Sequence, residues 1–250
     1  MKDGSQGTSA ATLTNRRPQT CAFTLTELLV VIVMTVLLTG VLWSARANTG
    51  RKAGLVECKN NLRKVGVAID QYSRDHTSYL PGPIWAGVYY TYRWNPPSDY
   101  GSMAVYLATY LGCPAPDGTW REAEPLKCPA SVEAQPNRVW NPPIYVPICF
   151  ISVTRFINGP GDVIDYPFGR PDTPYVAPQQ TSKIRRPSEQ WAMLDVDQRY
   201  LTAVGGSGAT YYNYLPSDAV HTARPGGTRP LFYRNTLYFD WSVRPELRTF

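Results

Sequence analysis

"CAFTLTELLVVIVMTVLLTGVLW", residues 21–43, is apolar almost throughout and carries one acid, Glu27, near its start. From Leu28 to Ala45 eighteen consecutive residues carry no charge. That is close to the shortest stretch able to cross a hydrocarbon core of about 30 Å at about 1.5 Å per helical residue. A carboxylate inside such a segment is costly, roughly 2.5–3.5 kcal/mol for an acid at the centre of a membrane helix and less near its end. Glu27 therefore needs a partner.

Upstream lies a polar leader, Met1 to Ala22, with Lys2, Arg16, Arg17 and Pro18. Three readings compete. A secretory signal peptide would be cut after the small-x-small triplet Ala45-Arg46-Ala47, leaving Asn48 as the new N-terminus. A plain anchor would stay uncut. Alternatively the leader alone is removed, between Ala22 and Phe23, and the apolar run remains on the mature chain. Charge does not orient the span, because Arg46, Arg51, Lys52 and Lys59 follow it and balance the basic leader. Glu27 discriminates better. Cutting before Phe23 creates an α-amino group one helical turn from Glu27, able to pair with it in the same helix or in a neighbour.

Downstream, no proline occurs between Pro18 and Pro81, so the sequence predicts one helix from about Phe23 to Asp75, roughly 80 Å long at that rise. Gly40, Gly50 and Gly54 are its weak points, with a bend expected near 50–54. Leu55, Cys58, Leu62, Val65, Ile69, Tyr72 and His76 recur in alternating steps of three and four, which puts them on one face. Lys59, Arg63, Lys64, Asp70 and Arg74 fall off it. A first half apolar all round and a second half amphipathic describe a membrane stalk that continues into a globular head.

The chain has 250 residues, 43% apolar and 18% charged, enough to fold around a core. The net charge is +6, yet basic residues are scattered, in no group denser than adjacent pairs such as Arg51-Lys52 and Arg185-Arg186, and no nucleic-acid partner is predicted. Tyrosines and prolines gather after residue 80. β-Prone runs at 147–153, 190–196, 231–233 and 236–240 are bounded by turn formers. They predict a small antiparallel sheet packed on the helix, an α+β fold, with 231–240 a hairpin turning near Arg234-Asn235. Residues 100–112 read as a second short helix with Met103, Tyr106, Leu107 and Tyr110 on one face. Long insertions occupy 81–146 and 154–182. The aromatic stretch at 84–100 reads as buried, the alternative being exposed rings that stack on sugars or grip a partner.

Cys21 leaves with the leader. Cys58, Cys113, Cys128 and Cys149 remain, an even number suited to disulfides outside the cytoplasm. Cys58, on the core-facing stripe, pairs with Cys128 in one reading, while a local Cys113–Cys128 loop is the other. Only two histidines exist and no C-x-x-C spacing occurs, so these cysteines are not read as metal ligands. Gly205–Gly208 lacks the Lys-Ser/Thr of a phosphate loop. Ser217, Asp218 and His221 supply triad residue types without a nucleophile elbow. No catalytic residue is assigned.

Ala22-Phe23-Thr24-Leu25-Thr26-Glu27, followed by "LLVVIVMTVLL", resembles the class III leader and first helix of type IV prepilins and type II secretion pseudopilins. The resemblance implies cleavage between Ala22 and Phe23 by a membrane prepilin peptidase, N-methylation of Phe23, and assembly with other pilin-like subunits guided by Glu27. Ala22 stands where that family carries Gly. Residues 57–83, "ECKNNLRKVGVAIDQYSRDHTSYLPGP", resemble the continuation seen in pseudopilin-like proteins that close on an H-X9-DG element. "LKCPA" (126–130), "KIRRPSEQWAMLDVD" (183–197) and "HTARPGGTRPLFYRNTLYFDW" (221–241) are similar to its later pieces. Here eighteen residues separate His221 from Asp240, and Trp241 replaces the Gly. Major pseudopilins bind calcium in a C-terminal loop, which makes Asp195 and Asp197, and less directly Asp162 and Asp165, candidate calcium ligands.

The expectation is therefore a leader (1–22), a transmembrane assembly helix (23–54) and a pilin-like head (55–250). Such a protein is single-pass in the inner membrane, with the head periplasmic or extracellular and no enzymatic activity. A pilus-displayed adhesin and a secreted hydrolase are the alternatives.

Overall fold

The structure is a computed structural model that describes residues 24–94, 101–134, 148–206, 208–209, 212–217, 221 and 232–248. The side chains of 41–53, 214, 232, 247 and 248 are outside that description. The chain divides into two compact units, Met1–Ala47 and Asn48–Phe250.

Helix α1 spans Leu25–Asp75, within two residues of the predicted ends, and helical structure continues through Gly50 and Gly54. It starts in a reciprocal capping box. Thr24 Oγ1 accepts from Glu27 N–H at 3.3 Å, while Glu27 Oε2 accepts from Thr24 N–H at 2.9 Å and from its hydroxyl at 2.8 Å. The T-x-x-E spacing that builds this cap stands in the sequence at 24–27. In the first unit every described residue from Thr24 to Gly40 is exposed, including Leu25 at 83% and Val36 at 63%. Among the described residues no helix is long and apolar enough to cross a membrane. The predicted span of 28–45 runs past residue 40 into positions whose side chains lie outside the description.

In the second unit the predicted stripe packs as the 3–4 spacing requires. Cys58, Leu62, Val65 and Ile69 are fully buried, each aliphatic side chain contributing about 1.5–3 kcal/mol. Tyr72 is half-buried and stacks on the exposed His76 with ring centres 3.8 Å apart.

The chain then runs through β1 (Gly87–Tyr89), β2 (Thr91–Tyr92), α2 (Met103–Leu107), β3 (Arg121–Glu122), α3 (Pro129–Ala134) and β4 (Ile148–Ser152). It continues through β5 (Arg155–Gly159), β6 (Asp162–Asp165), β7 (Trp191–Asp195), α4 (Gln198–Ala203), β8 (Phe232–Tyr238) and β9 (Val243–Arg248). Five strands form one antiparallel sheet in the order β1-β4-β7-β8-β9. β2–β3 and β5–β6 are separate two-stranded ribbons. Phe150, Met193 and Leu237 from the sheet join Leu62 and Ile69 in the main core. Ile151 and Leu194 join Tyr200, Leu201 and Leu215 in a smaller cluster. The α+β class with a small antiparallel sheet is thus what the chain adopts.

Three local expectations change. The hairpin expected to turn at Arg234-Asn235 has no turn there: β8 runs straight through both residues. They are buried and bonded to β7, so polar residues that resemble a surface turn are interior. The reversal comes at Asp240-Trp241, where Asp240 Oδ1 accepts from Ser242 N–H at 3.0 Å and Trp241 takes φ +61°. The second helix is shorter than 100–112: α2 stops at Leu107, a 3₁₀ turn covers Thr109–Leu111, and Gly112 closes it at φ +72°. Tyr90 and Tyr92 are buried as expected, whereas Trp85 and Trp94 are exposed, with Arg93 4.4 Å from the Trp120 ring centre.

Gly66 of α1 packs close against the β8–β9 hairpin. A Cβ there would lie 3.0 Å from Leu237 Cδ1 and 3.3 Å from Trp241 Cβ. Trp241 also donates its indole N–H to Asp70 Oδ1 at 3.2 Å, anchoring the β8–β9 turn on α1. Gly66→Leu should therefore destabilise the fold by about 1–3 kcal/mol through overpacking, despite leucine's better helix propensity. Urea unfolding followed by far-UV circular dichroism checks this.

Candidate functional site

Chemistry-bearing side chains converge where α1, the start of α3 and the β7–β8 pair meet. Cys58, projected inward by the α1 stripe, forms a disulfide with Cys128, 70 residues later. Nearby, Asn61 Nδ2 donates to the Lys127 carbonyl at 3.0 Å. This is the first of the two pairings open to the sequence. Cys113 and Cys149 are free, so the alternative Cys113–Cys128 pairing is not adopted. Burial pushes the Cys149 thiol up to about 12, which leaves it a buried apolar group with little nucleophilic character.

His221 is buried against this bridge, its Nε2 3.4 Å from Cys128 Sγ and 3.6 Å from Asp195 Oδ2. Asp195 ends β7. Its Oδ2 accepts from the Asn235 N–H at 2.8 Å, and its carbonyl accepts from Arg234 at 3.1 Å. Arg234 also pairs with Asp197 Oδ2 at 2.6 Å and lies 4.9 Å from the Tyr200 ring centre. Asp197 Oδ1 caps α4 by accepting from Tyr200 N–H at 2.7 Å. Asp195, Asp197, His221 and Arg234 are each at most 4% exposed.

Burial raises Asp195 to about 7, partly opposed by the Asn235 N–H and the Arg234 charge. Burial, reinforced by Arg234, lowers His221 to about 4. His221 is therefore neutral at pH 7, and its contact with Asp195 is then no ion pair. The two groups pull stability in opposite directions. Asp195, raised above its unfolded value, contributes stability that is lost as pH rises from about 4 to about 7. His221, lowered below its unfolded value, contributes stability that is lost as pH falls from about 6.5 to about 4. Between those limits the slopes oppose each other. His221→Gln should uncover the Asp195 slope, with stability falling from pH 4.5 to pH 7.5, and Asp195→Asn should uncover the opposite one. Melting temperatures at four pH values across that range read both.

The remaining sequence candidates fall elsewhere. Ala22 and Phe23 lie outside the described residues. Glu27 is held by Thr24, a local partner the sequence reading passed over. Asp240 faces Ser242 and Arg244, whereas His221 faces Cys128 and Asp195, so the two residues of the closing motif serve different contacts. Asp197 is committed to Arg234 and to the α4 cap. Asp162 accepts from Asn158 at 2.7 Å, and Asp165 pairs with Arg155 at 3.1 Å. Ser217 is exposed whereas His221 is buried, and Asp218 lies outside the described residues. Sequence reasoning missed Arg234 and Asn235 as interior residues and gave His221 no tie to the cysteines.

No protein-family model, no curated protein and no solved structure matches the chain.

Proposed function

We propose that this protein is a non-catalytic pilin-like subunit. In this reading the chain is inserted in the inner membrane as a prepilin, cut between Ala22 and Phe23, methylated at Phe23, and assembled through its first helix into a type II secretion or type IV pilus-like filament. The observation that carries the reading is the first part of α1: exposed from Leu25 to Gly40, uncharged and mostly apolar on all sides after Glu27, on a helix whose later turns supply the core of an α+β head. A helix apolar all round is covered by lipid or by other helices. The Thr24–Glu27 cap supports the same reading. It holds the carboxylate against the N–H one residue beyond the bond to be cut, so cleavage would deliver an amine beside an acid already folded back to meet it.

The test is the N-terminal residue and intact mass of protein extracted from membranes that contain a prepilin peptidase. N-methylated Phe23 is the expected result, with Glu27→Gln processed normally but lost from assemblies. An Asn48 terminus overturns the reading in favour of a secreted protein. An uncut Met1 overturns it in favour of a plain anchor.

A further inference from the structure

We propose that the dithiol form of this chain binds one zinc ion through Cys58 Sγ, Cys128 Sγ and His221 Nε2, with the Asp195 carboxylate completing the shell. The ligand atoms of Cys58, Cys128 and His221 all lie within 4.8 Å of one another, and all three residues are buried. The separations suit the ion. Tetrahedral zinc with about 2.3 Å to sulfur and about 2.0–2.1 Å to nitrogen or oxygen sets neighbouring S and N about 3.6 Å apart, and N and O about 3.3 Å apart. Cys128 Sγ to His221 Nε2 is 3.4 Å, and His221 Nε2 to Asp195 Oδ2 is 3.6 Å. Once they are no longer bonded the two sulfurs part to about 3.8 Å, and the Asp195 carboxylate closes on the three ligands that already lie together.

Asp195 adds a second observation. Its Oδ1 is buried with no hydrogen-bond partner among the described residues, an arrangement that costs stability unless something occupies it. Two thiolates and one carboxylate against Zn²⁺ leave one net negative charge, next to the buried Arg234–Asp197 pair, whose arginine also donates to the Asp195 carbonyl. Two sulfurs and an imidazole select zinc over calcium, which takes oxygen. The four residues come from four separate segments, so the ion ties together the same parts of the head as the disulfide does.

Every chain is made as the dithiol, and loading releases two thiol protons to the solvent. Exchange with the disulfide of a second protein or small molecule then converts one state into the other. The two cysteine sulfurs form their S–S bond and give up two electrons. The partner's S–S bond takes those electrons and two protons to become two thiols, and Zn²⁺ leaves.

The test uses the full chain in detergent carrying Cys21→Ser, Cys113→Ser and Cys149→Ser, so that no other thiol contributes. After reduction by a phosphine it is titrated with cobalt(II) and then back-titrated with zinc. One cobalt per chain is expected, with thiolate-to-cobalt absorption in the near ultraviolet and the visible bands of a tetrahedral ion, all erased by zinc. The oxidised protein should take up none. His221→Ala should weaken zinc binding at least about tenfold, measured by chelator competition, and Asp195→Asn about tenfold with the thiolate band retained. Circular dichroism accompanies each titration, and a reduced chain that gains structure on adding zinc also supports the site. No cobalt uptake by the reduced chain, folded or unfolded, overturns the proposal. So does uptake that His221→Ala leaves unchanged in a folded protein, and unchanged affinity in Asp195→Asn removes Asp195 from the shell.

Discussion

Replacing Arg234 by methionine is expected to destabilise the head by about 3–5 kcal/mol, the cost of stranding a buried charge whose partner has been removed. The side chain is 1% exposed and pairs with Asp197, itself 2% exposed, at 2.6 Å. Methionine keeps most of the volume, so the loss is electrostatic and hydrogen-bonded rather than a cavity. A second variant separates these causes. Arg234→Met with Asp197→Asn removes both charges while asparagine keeps the cap on α4, because it is as good an N-cap as aspartate. The double variant should recover more than half of the single variant's loss, since removing both members of a buried pair is often close to neutral. Asp195 remains in that variant, and its raised pKa lets it take a proton near neutrality. Both variants should therefore lose less, relative to the wild type, at pH 6 than at pH 8. Urea unfolding of the four proteins in the cycle gives the coupling directly. A single-variant loss below about 1 kcal/mol would mean that Arg234 does not compensate this cluster.

The same cluster marks where sequence reading stopped. The α1 stripe was legible because periodicity is a local property: four of its positions, Cys58, Leu62, Val65 and Ile69, are fully buried. The runs at 147–153 and 190–196 became β4 and β7 for the same reason, each being a short β-prone run bounded by turn formers. Arg234-Asn235 was misread because local rules send polar pairs to the surface. What holds them inside are partners on β7 some 39 and 40 residues away in sequence. His221 and Cys128 are 93 residues apart, and no spacing rule joins residues from such different segments. The missing C-x-x-C argued against a local metal knuckle but was silent on ligands drawn from four segments. Glu27 is a different case. Its partner, Thr24, was readable as a capping box, yet the surrounding apolar run drew attention to the cost of the charge instead of to the hydroxyl three residues before it.

Cys58→Ser is expected to cost about 4 kcal/mol in the oxidised protein. The bond closes a separation of 70 residues, and the chain-entropy relation gives roughly 4.4 kcal/mol for a loop of that length. That corresponds to a fall in Tm of roughly 8–16 °C for a domain of this size. Both sulfurs are fully buried, so serine also leaves a hydroxyl without solvent, which adds to the loss. Three further measurements decide whether the tie itself is responsible. Cys128→Ser should cost as much as Cys58→Ser, and the double variant little more than either, because one bond is lost only once. Cys149→Ser should cost less than either, since Cys149 carries no cross-link. Peptide mapping of the wild-type protein should recover Cys58 and Cys128 in one cross-linked fragment, and a Cys113–Cys128 fragment would contradict the pairing. Reduction of the wild-type chain in a chelator should reproduce most of the Cys58→Ser loss without mutation. If the dithiol holds zinc, replacing the chelator by zinc at about a hundred times its dissociation constant should return about 2.7 kcal/mol. Cys58→Ser, lacking one ligand, should regain far less.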